Sequence, residues 1–242
     1  GPVKVGRHTL AMLRLAKEWW ARTGGAFDVT VAPVVAVWGF QPGGTPHLPP
    51  PGQIAAALPL VGAGDLLVDR AAGTAFLRRP GMAADLGGMA KGYAVDQAYA
   101  ALARAGVKSA LINGGASSIR VLGPPPRGRW WRIGIGHPRA GGQQLLAVLL
   151  LDPGQAAGTS ADNQRFFLAD GRRYAHLIDP RTGQPARRAI LFSVVAGDAA
   201  LADILSTACF VQGSTDGLAT ARAAGAQGLA YTPERSLRHT AG

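Results

Sequence analysis

Two glycines and a lysine open the segment of the chain with the clearest chemical pattern. Gly87 and Gly88 precede Lys91, and apolar residues then recur at the spacing of one helix face until Gly106. Glycines at a helix entry let a ligand approach the backbone, and the N–H groups of a first helical turn attract phosphate. The helix dipole disfavours a lysine at this position, and an anion bound between the lysine and the helix start would offset that repulsion. The pattern is compatible with phosphate binding, although most glycine turns of this kind are only tight connections.

A pair of oxygen-bearing side chains forms a second candidate. Residues 199–210 fit a helix with a clear apolar face, and Asp203 and Thr207 lie four positions apart on the opposite side. Together they could bind a hard metal ion. Taken alone, the spacing is typical of an ordinary polar helix surface.

A histidine offers a third candidate, in proton transfer. Residues 174–179 alternate as a strand does, with His176 inside it and a turn over residues 180–183. Histidine is the side chain best suited to move protons near neutral pH. Isolated in a strand, however, it is more often structural.

Three further polar residues allow two interpretations each. Asp28 precedes the apolar run over residues 29–37 and could cap a helix there. Thr159 and Ser160 could contact a phosphate or ribose, or their hydroxyls could satisfy backbone groups at a strand end. For Thr159 and Ser160 the pattern alone does not decide between binding and structure, whereas a capping role at Asp28 is compatible with a role in binding.

Composition limits the class of protein. With 242 residues and 48% hydrophobic content, the chain can bury a core as one domain or as two tightly joined lobes. The net charge of +11 suits nucleic acid, but no aromatic residues interleave with basic ones, which favours a solvated basic surface for acidic partners or an anionic membrane face. Cys209 is the only cysteine, which excludes an intramolecular disulfide. No apolar run reaches the roughly 18 residues of a transmembrane segment.

The patterning predicts an α/β fold with a mixed sheet flanked by helices. A polar loop, with His47 exposed, is expected over residues 41–52, and a hairpin over residues 66–69 and 74–77. Helices are expected over residues 8–22, near 54–58, from 91 to about 105 and over 199–210. Further strands are expected over residues 110–112 (buried), 131–135, 145–151, 174–179 and 191–196.

The central segment also carries a family resemblance. Residues 85–96, Asp-Leu-Gly-Gly-Met-Ala-Lys-Gly-Tyr-Ala-Val-Asp, resemble the signature of the ApbE family, the FAD:protein FMN transferases. Further matches occur in the same order at residues 25–30, 33, 38–40, 159–160, 176–183 and 202–208, so the resemblance extends from about residue 24 onward. The chain departs from the family pattern at Ala116, where an acidic residue or Asn is frequent, at Ala161 in place of Gly, and at Asn163 in place of Tyr.

The resemblance implies roles for specific residues. It implies that Asp203, Thr207 and a backbone carbonyl near Gly88 bind Mg²⁺, and that His176 acts with Asp203 in catalysis. The residues that it implies in FAD binding are Ala26, Phe27, Asp28, Asp85, Lys91, Thr159 and Ser160.

The implied activity is transfer of FMN from FAD to a Thr or Ser hydroxyl of an acceptor protein, with release of AMP. The acceptor would be a redox-complex subunit that carries a short flavinylation motif. An FAD pyrophosphatase that yields FMN and AMP, or a flavin-binding module without turnover, would use the same groups. By resemblance, the protein is expected in the periplasm or on the outer face of the inner membrane.

The resemblance also implies that residues 1–242 form one ApbE-like domain without its usual N-terminal segment. In the family that segment contributes to the flavin side of the pocket. Only 26 residues precede Phe27 here. The chain alone is therefore expected to bind FAD weakly, since lost apolar burial costs roughly 25 cal/mol per Å².

Overall fold

A computed structural model describes residues 1–140 and 144–240, and it confirms the predicted α/β class. No helix within these ranges is both long and apolar enough to cross a membrane. The helices are α1 (Arg7–Arg22), α2 (Ala32–Val37), α3 (Gln53–Ala57), α4 (Ala90–Arg104), α5 (Ala199–Gln212) and α6 (Ser214–Ala223). The strands are β1 (Val3–Lys4), β2 (Leu66–Asp69), β3 (Thr74–Leu77), β4 (Ala110–Asn113), β5 (Ser118–Leu122), β6 (Trp131–Gly136), β7 (Leu145–Leu151), β8 (Ala156–Ala161), β9 (Phe166–Ala169), β10 (Arg172–Ala175), β11 (Ile178–Asp179), β12 (Gln184–Pro185), β13 (Leu191–Ala196), β14 (Gln227–Tyr231) and β15 (Leu237–His239).

The chain folds into two compact units, each built from two separate stretches. The first unit comprises Gly1–Leu86 and Gln164–Ala186. The second comprises Gly87–Asn163 and Arg187–Gly242. The candidate residues are consequently divided, because His176 and Asp28 belong to the first unit while Lys91 and Asp203 belong to the second.

The first unit has an aromatic core that joins its two stretches. Tyr174 of β10 stacks on Trp38 at a centroid distance of 5.6 Å and on Phe167 of β9 at 5.0 Å. The indole Nε1 of Trp38 donates a hydrogen bond of 2.8 Å to the carbonyl of Gly183. This core fixes the β9–β10 hairpin, which leads directly to His176. The predicted β2–β3 hairpin and the exposed His47 are also confirmed.

The second unit is organised around a six-stranded sheet with the order β15-β14-β13-β8-β5-β4. Every strand pairing in it is antiparallel, in place of the expected mixed sheet. The β6–β7 hairpin covers one face, where Ile133 packs with Ala157 and Val195. Strand β13 is buried along its whole length, and its six residues are apolar apart from Ser193.

Strand β4 differs from its prediction as a buried strand. Its residues alternate between partly buried and exposed, and Leu111 is 42% exposed. The reason is topological, since among the described strands β4 is at the edge of the sheet and pairs only with β5. An apolar sequence run does not reveal which strand lies at the edge.

Helix α5 lies at the centre of the second unit. It packs against β5, β8 and β13 on one side and against α4 and α6 on others. Two glycines permit the closest approaches: a Cβ at Gly158 of β8 would lie 2.4 Å from the backbone of Ala202, and one at Gly92 of α4 would lie 2.1 Å from the carbonyl oxygen of Ala199. Larger residues at either position would push α5 away from its neighbours.

Candidate active site

Asp203 is buried, which corrects the expectation of a solvent-facing polar surface. The residue is only 6% exposed, and eleven of the fourteen residues of α5 are buried. The expectation is wrong because it assumes one packed face, whereas α5 has a sheet on one side and helices on others. Thr207, one turn further along, is half-buried.

Two neighbours hold the Asp203 carboxylate. The hydroxyl of Ser118 in β5 donates to Oδ1 at 2.7 Å and to Oδ2 at 2.8 Å, and the backbone N–H of Gly92 donates to Oδ2 at 2.8 Å. Burial nevertheless raises the pKa of Asp203 to about 6, although both hydrogen bonds and the charge of Lys91 act to lower it. The carboxylate is therefore held in place but short of compensating positive charge.

The hydroxyl of Thr207 belongs to a small polar cluster between strand β8 and helix α5. Ser160 Oγ lies 3.2 Å from Thr207 Oγ1 and 3.0 Å from Ser206 Oγ, and Ser206 donates to the carbonyl of Asp203. Ser160 thus links strand β8 to the polar positions of α5. Its hydroxyl bonds to side-chain hydroxyls here, whereas the sequence suggested either backbone groups or a ligand.

Thr159 faces the other side of the sheet from Ser160. Its hydroxyl lies 2.9 Å from that of Ser193, its cross-strand partner in β13. Neighbouring strand residues point to opposite faces, and Ala157 on the Thr159 side packs in the core with β6. Of this predicted pair, the structure brings only Ser160 to α5.

The donor set around α5 suits a hard cation. Mg²⁺ prefers carboxylate, carbonyl and hydroxyl oxygens, and Asp203 and Thr207 supply two of these from one helix. In the described part of the chain, no three His, Cys, Asp or Glu side chains form a group that could hold a metal. A metal here would need backbone or substrate oxygens to complete its coordination, and Gly88 lies in the exposed turn just before α4.

Lys91 is exposed at the second position of α4, and its charge acts on Asp203. Its side chain passes along the turn after β4, 4.0 Å from where a Cβ would stand on Gly115. The Met89 side chain provides no cap for α4. The N–H groups at the start of α4 and the Lys91 ammonium are therefore groups that could bind a phosphate.

The turn after β4 contains Ala116, one of the departures from the family pattern. Ala116 has a φ of 64°, in the left-handed region that side chains with a Cβ rarely adopt, and its N–H is bonded to Asn113 Oδ1 at 2.7 Å. Asn and Asp tolerate this conformation better than Ala. The family preference at this position therefore has a backbone explanation.

In the first unit, the Asp28 carboxylate accepts hydrogen bonds from nearby residues. Its Oδ1 accepts from the N–H and hydroxyl of Thr30 at 2.7 and 2.6 Å, and its Oδ2 accepts from the N–H of Ala63 at 3.0 Å. The predicted capping role is confirmed. Ala26 and Phe27 beside it are buried, and exposed Asp85 donates its N–H to the carbonyl of Val29 at 2.7 Å.

His176 lies between two short strands and not within one. Strand β10 ends at Ala175 and pairs with β9, whereas β11 begins at Ile178 and pairs with β12. The predicted continuous strand is wrong because the chain changes partner at this point. The Arg165 carbonyl accepts from the N–H of His176 at 3.0 Å, and His176 Nδ1 lies 3.2 Å from the same oxygen. Phe40 packs edge-on to the half-buried imidazole.

Sequence reasoning misses two residues that touch Asp203. Gly92 is part of the central motif, but its role as a donor is visible only once α5 is placed beside α4. Ser118 follows the glycine turn, and its strand neighbours give no sign that it is fully buried. The small size of both residues is the only available signal.

Comparison with known proteins identifies the family of this chain. The family model described as the ApbE family matches residues 1–231. An FAD:protein FMN transferase of Klebsiella pneumoniae is 33% identical over 224 residues, which are 91% of this chain and 67% of that protein. One of Rhodobacter capsulatus is 35% identical over 206 residues, which are 85% of this chain but 38% of that protein.

A solved structure shows the same fold. The ApbE protein of Thermotoga maritima superposes with a TM-score of 0.90 at 32% identity, over 99% of this chain and 78% of that one. The chain thus spans between about two fifths and four fifths of the length of these three relatives. The family model, the sequence identity to these relatives and the shared fold agree, and the chain belongs to the ApbE family.

Proposed function

We propose that the protein transfers FMN from FAD to a Thr or Ser hydroxyl of an acceptor protein, with Mg²⁺ and with release of AMP. The observation that carries the proposal is Asp203, a buried carboxylate with a raised pKa, placed one turn from Thr207 and within the field of Lys91. Relatives named FAD:protein FMN transferase support the reaction class.

The reaction balances as a displacement at phosphorus. The acceptor oxygen forms a bond to the FMN-side phosphorus, the bond from that phosphorus to the bridging oxygen breaks, and AMP leaves with the bridging oxygen. The hydroxyl proton must pass to a base. We assign that proton to His176, whose imidazole is held by the Arg165 carbonyl and by Phe40.

Asp203, Thr207 and the Gly88 carbonyl would hold the metal. When bound, Mg²⁺ would neutralise the charge that builds on the pyrophosphate. Ser118 and Gly92 keep the Asp203 carboxylate oriented. Because burial makes an uncompensated charge at Asp203 costly, a cation there would relieve that cost.

Lys91 and the start of α4 would bind the pyrophosphate, and Ser160 would support Thr207 from β8. We keep the remaining family positions, Ala26, Phe27, Asp28, Asp85 and Thr159, as a proposed nucleotide-binding set. Since the Asp28 carboxylate already accepts three hydrogen bonds, its contribution would be to shape the backbone.

One incubation distinguishes the possible activities. The chain is mixed with FAD, Mg²⁺ and a purified redox-complex domain that carries a Thr-containing flavinylation motif. Covalent flavin on the domain with release of AMP supports the proposal, and the domain with that Thr replaced by Ala is the control. Free FMN and AMP without labelling would indicate a pyrophosphatase, and unchanged FAD would indicate a binding module.

Two substitutions separate binding from chemistry. Lys91→Ala should weaken FAD binding by about 1.5 to 3 kcal/mol, since it removes a charge-assisted contact to phosphate. His176→Ala should bind FAD as the wild type does and turn it over slowly. Equal losses of FAD affinity in both variants, measured by calorimetry, would contradict this division of roles.

We further propose that the acceptor is a redox-complex subunit and that the protein acts in the periplasm or on the outer face of the inner membrane. This proposal rests on the family resemblance and on a basic composition suited to an anionic membrane face. Fractionation of cells that express the native protein tests it. Recovery only in the cytoplasmic fraction would oppose it.

A further inference from the structure

An aspartate on α4 caps the first turn of the neighbouring helix α5. Asp96 Oδ1 accepts from the N–H of Ala199 and Oδ2 from the N–H of Ala200, both at 2.9 Å. These N–H groups have no partner within their own helix. The third N–H of that turn, from Leu201, is bonded to Asp198 at 2.8 Å. Two carboxylates, one from α4 and one from the residue before α5, therefore complete one helix start.

Arg120 of β5 fixes the Asp96 carboxylate. Its Nη1 donates to Asp96 Oδ1 at 2.7 Å, its Nη2 to the carbonyl of Gly197 at 3.0 Å, and its Nε to the carbonyl of Gly154 at 3.3 Å. The guanidinium also lies 3.9 Å from the centroid of the Tyr99 ring. The side chains of Asp96 and Arg120 are only 14% and 16% exposed, so water competes little for this ion pair.

The same face of α4 carries the contact to Asp203. Gly92, Asp96 and Tyr99 follow the i, i+4, i+7 spacing of one helix face. Gly92 touches the Ala199 carbonyl and donates its N–H to Asp203, while Asp96 binds the N–H groups of Ala199 and Ala200. Sliding either helix along the other by one residue, about 1.5 Å, would break all of these contacts at once.

We propose that Asp96 is a positioning residue that holds α5 in register with α4 and thereby keeps Asp203 on the Gly92 N–H. The geometric part of this inference stands on the hydrogen bonds alone. The consequence for Mg²⁺ affinity rests on the proposed function, in which Asp203 is a metal ligand.

Asp198 provides a matched comparison. It caps the same helix start, but it precedes α5 directly in the chain and its carboxylate accepts from Leu201 of α5 itself. Removing the Asp198 carboxylate weakens the start of α5 but breaks no hydrogen bond between α5 and α4. A purely structural role for Asp96 would make the Asp96 and Asp198 variants behave alike.

Hydrogen exchange at the Gly92 amide gives the direct test. Gly92 is the third residue of α4, so its N–H has no carbonyl partner within α4 and its protection reports the bond to Asp203. In Asp96→Asn, the side-chain NH₂ group would face the N–H of Ala199 or Ala200, so one capping bond is lost, and Arg120 loses its carboxylate partner. We expect exchange at Gly92 to rise at least about tenfold in this variant, with β13 amides unchanged, and to stay as in wild type in Asp198→Ala.

Unchanged Gly92 exchange in Asp96→Asn, or an equal rise in Asp198→Ala, would overturn the inference. If Asp96→Asn does not fold, Arg120→Gln replaces it, because that change removes the ion pair that fixes the Asp96 carboxylate on the N–H groups of Ala199 and Ala200. The same local rise at Gly92, of smaller size, is then expected, and its absence counts against the proposal.

Binding of Mn²⁺, followed by electron paramagnetic resonance at saturating FAD, tests the consequence for the metal. Affinity should fall about tenfold to a hundredfold in Asp96→Asn, as for residues that orient metal ligands, and stay unchanged in Asp198→Ala. If Asp203→Asn binds Mn²⁺ as the wild type does, the proposed ligand set fails, and the exchange result still decides the positioning role. If only Asp203→Asn loses binding, Asp96 does not position the ligand.

Discussion

Asp28 and Asp203 are equally buried, at 6% exposure each, yet their surroundings differ. Asp28 accepts bonds from three separate donors on its two oxygens. Asp203 has two donors, and one of them, the Ser118 hydroxyl, is shared between both oxygens. Burial outweighs these bonds at Asp203 and raises its pKa to about 6.

This difference separates a carboxylate that stabilises local structure from one that a nearby cation could stabilise. A buried carboxylate with enough donors stabilises a turn, as Asp28 does before the 3₁₀ turn Val29–Val31. A buried carboxylate with too few donors is costly to keep charged unless positive charge is added. In this chain, the number of hydrogen-bond donors at equal burial therefore distinguishes Asp28 from Asp203, which the sequence motifs treat alike.

The largest expected effect comes from Asp203→Asn. It should lower Mg²⁺-dependent FMN transfer by at least about a hundredfold, because the charge that would hold the metal is lost. Asn can still accept from the Gly92 N–H, whereas Ala would leave that group and Ser118 without a partner in a buried site. Covalent flavin on the acceptor measures the rate, and circular dichroism checks the fold. Full activity with normal Mg²⁺ dependence would end the assignment.

The second prediction concerns stability and pH without metal. The pKa of Asp203 in the folded state, about 6, lies above its ordinary value of 3.8, so the folded state favours the protonated form. As pH rises from about 4 to above 6, the wild type should therefore lose up to about 3 kcal/mol of unfolding free energy relative to Asp203→Asn. Urea denaturation in chelator at several pH values measures this difference.

Added Mg²⁺ should recover part of that loss at pH 7 and above in the wild type only. A difference between the two proteins that stays constant with pH, or that increases in favour of the wild type, would show that Asp203 is not strained by burial.

The third prediction is that replacing Asp28 by Asn changes the unfolding free energy in the direction opposite to Asp203→Asn without metal. Asp28→Asn should lower the unfolding free energy by about 1 to 3 kcal/mol, because an amide nitrogen would face the donors from Thr30 or Ala63. Asp69→Asn is the control, since exposed Asp69 accepts from Ala72 at the surface and its change should stay within about 0.5 kcal/mol. Equal effects at both positions would remove the distinction from Asp203.

Local patterns predict part of this fold but miss helix α6 and strands β5, β9, β14 and β15. The limits of such patterns are physical. They locate the β2–β3 hairpin and β13 to the residue because the apolar patterns and turn residues there are local. They miss the burial of Asp203 because it depends on helices and strands distant in sequence that surround α5. Likewise the edge position of β4 and the change of partner at His176 are properties of sheet topology, which periodicity does not encode.

The motif predicts which residues to consider at the site, and the geometry separates them. Asp203 and Thr207 do lie on one helix as their spacing implies. Thr159 and Ser160 are adjacent in the motif and read as one binding element, yet a strand sends neighbouring side chains to opposite faces. If both residues lie in one strand, as the sequence suggested, their side chains cannot both point toward the same ligand.

The smallest expected effect tests that pair directly. Ser160→Ala removes the hydroxyl beside Thr207, so Thr207 loses one hydrogen bond that orients it, and Mn²⁺ affinity should fall about twofold to tenfold, the equivalent of about 0.5 to 1.5 kcal/mol. Thr159→Val removes the hydroxyl bonded to Ser193 on the far face and should leave Mn²⁺ affinity unchanged. Electron paramagnetic resonance titration of both variants measures the contrast. If Thr159→Val lowers Mn²⁺ affinity as much as Ser160→Ala does, the face of the sheet on which a hydroxyl lies does not determine whether it affects metal binding.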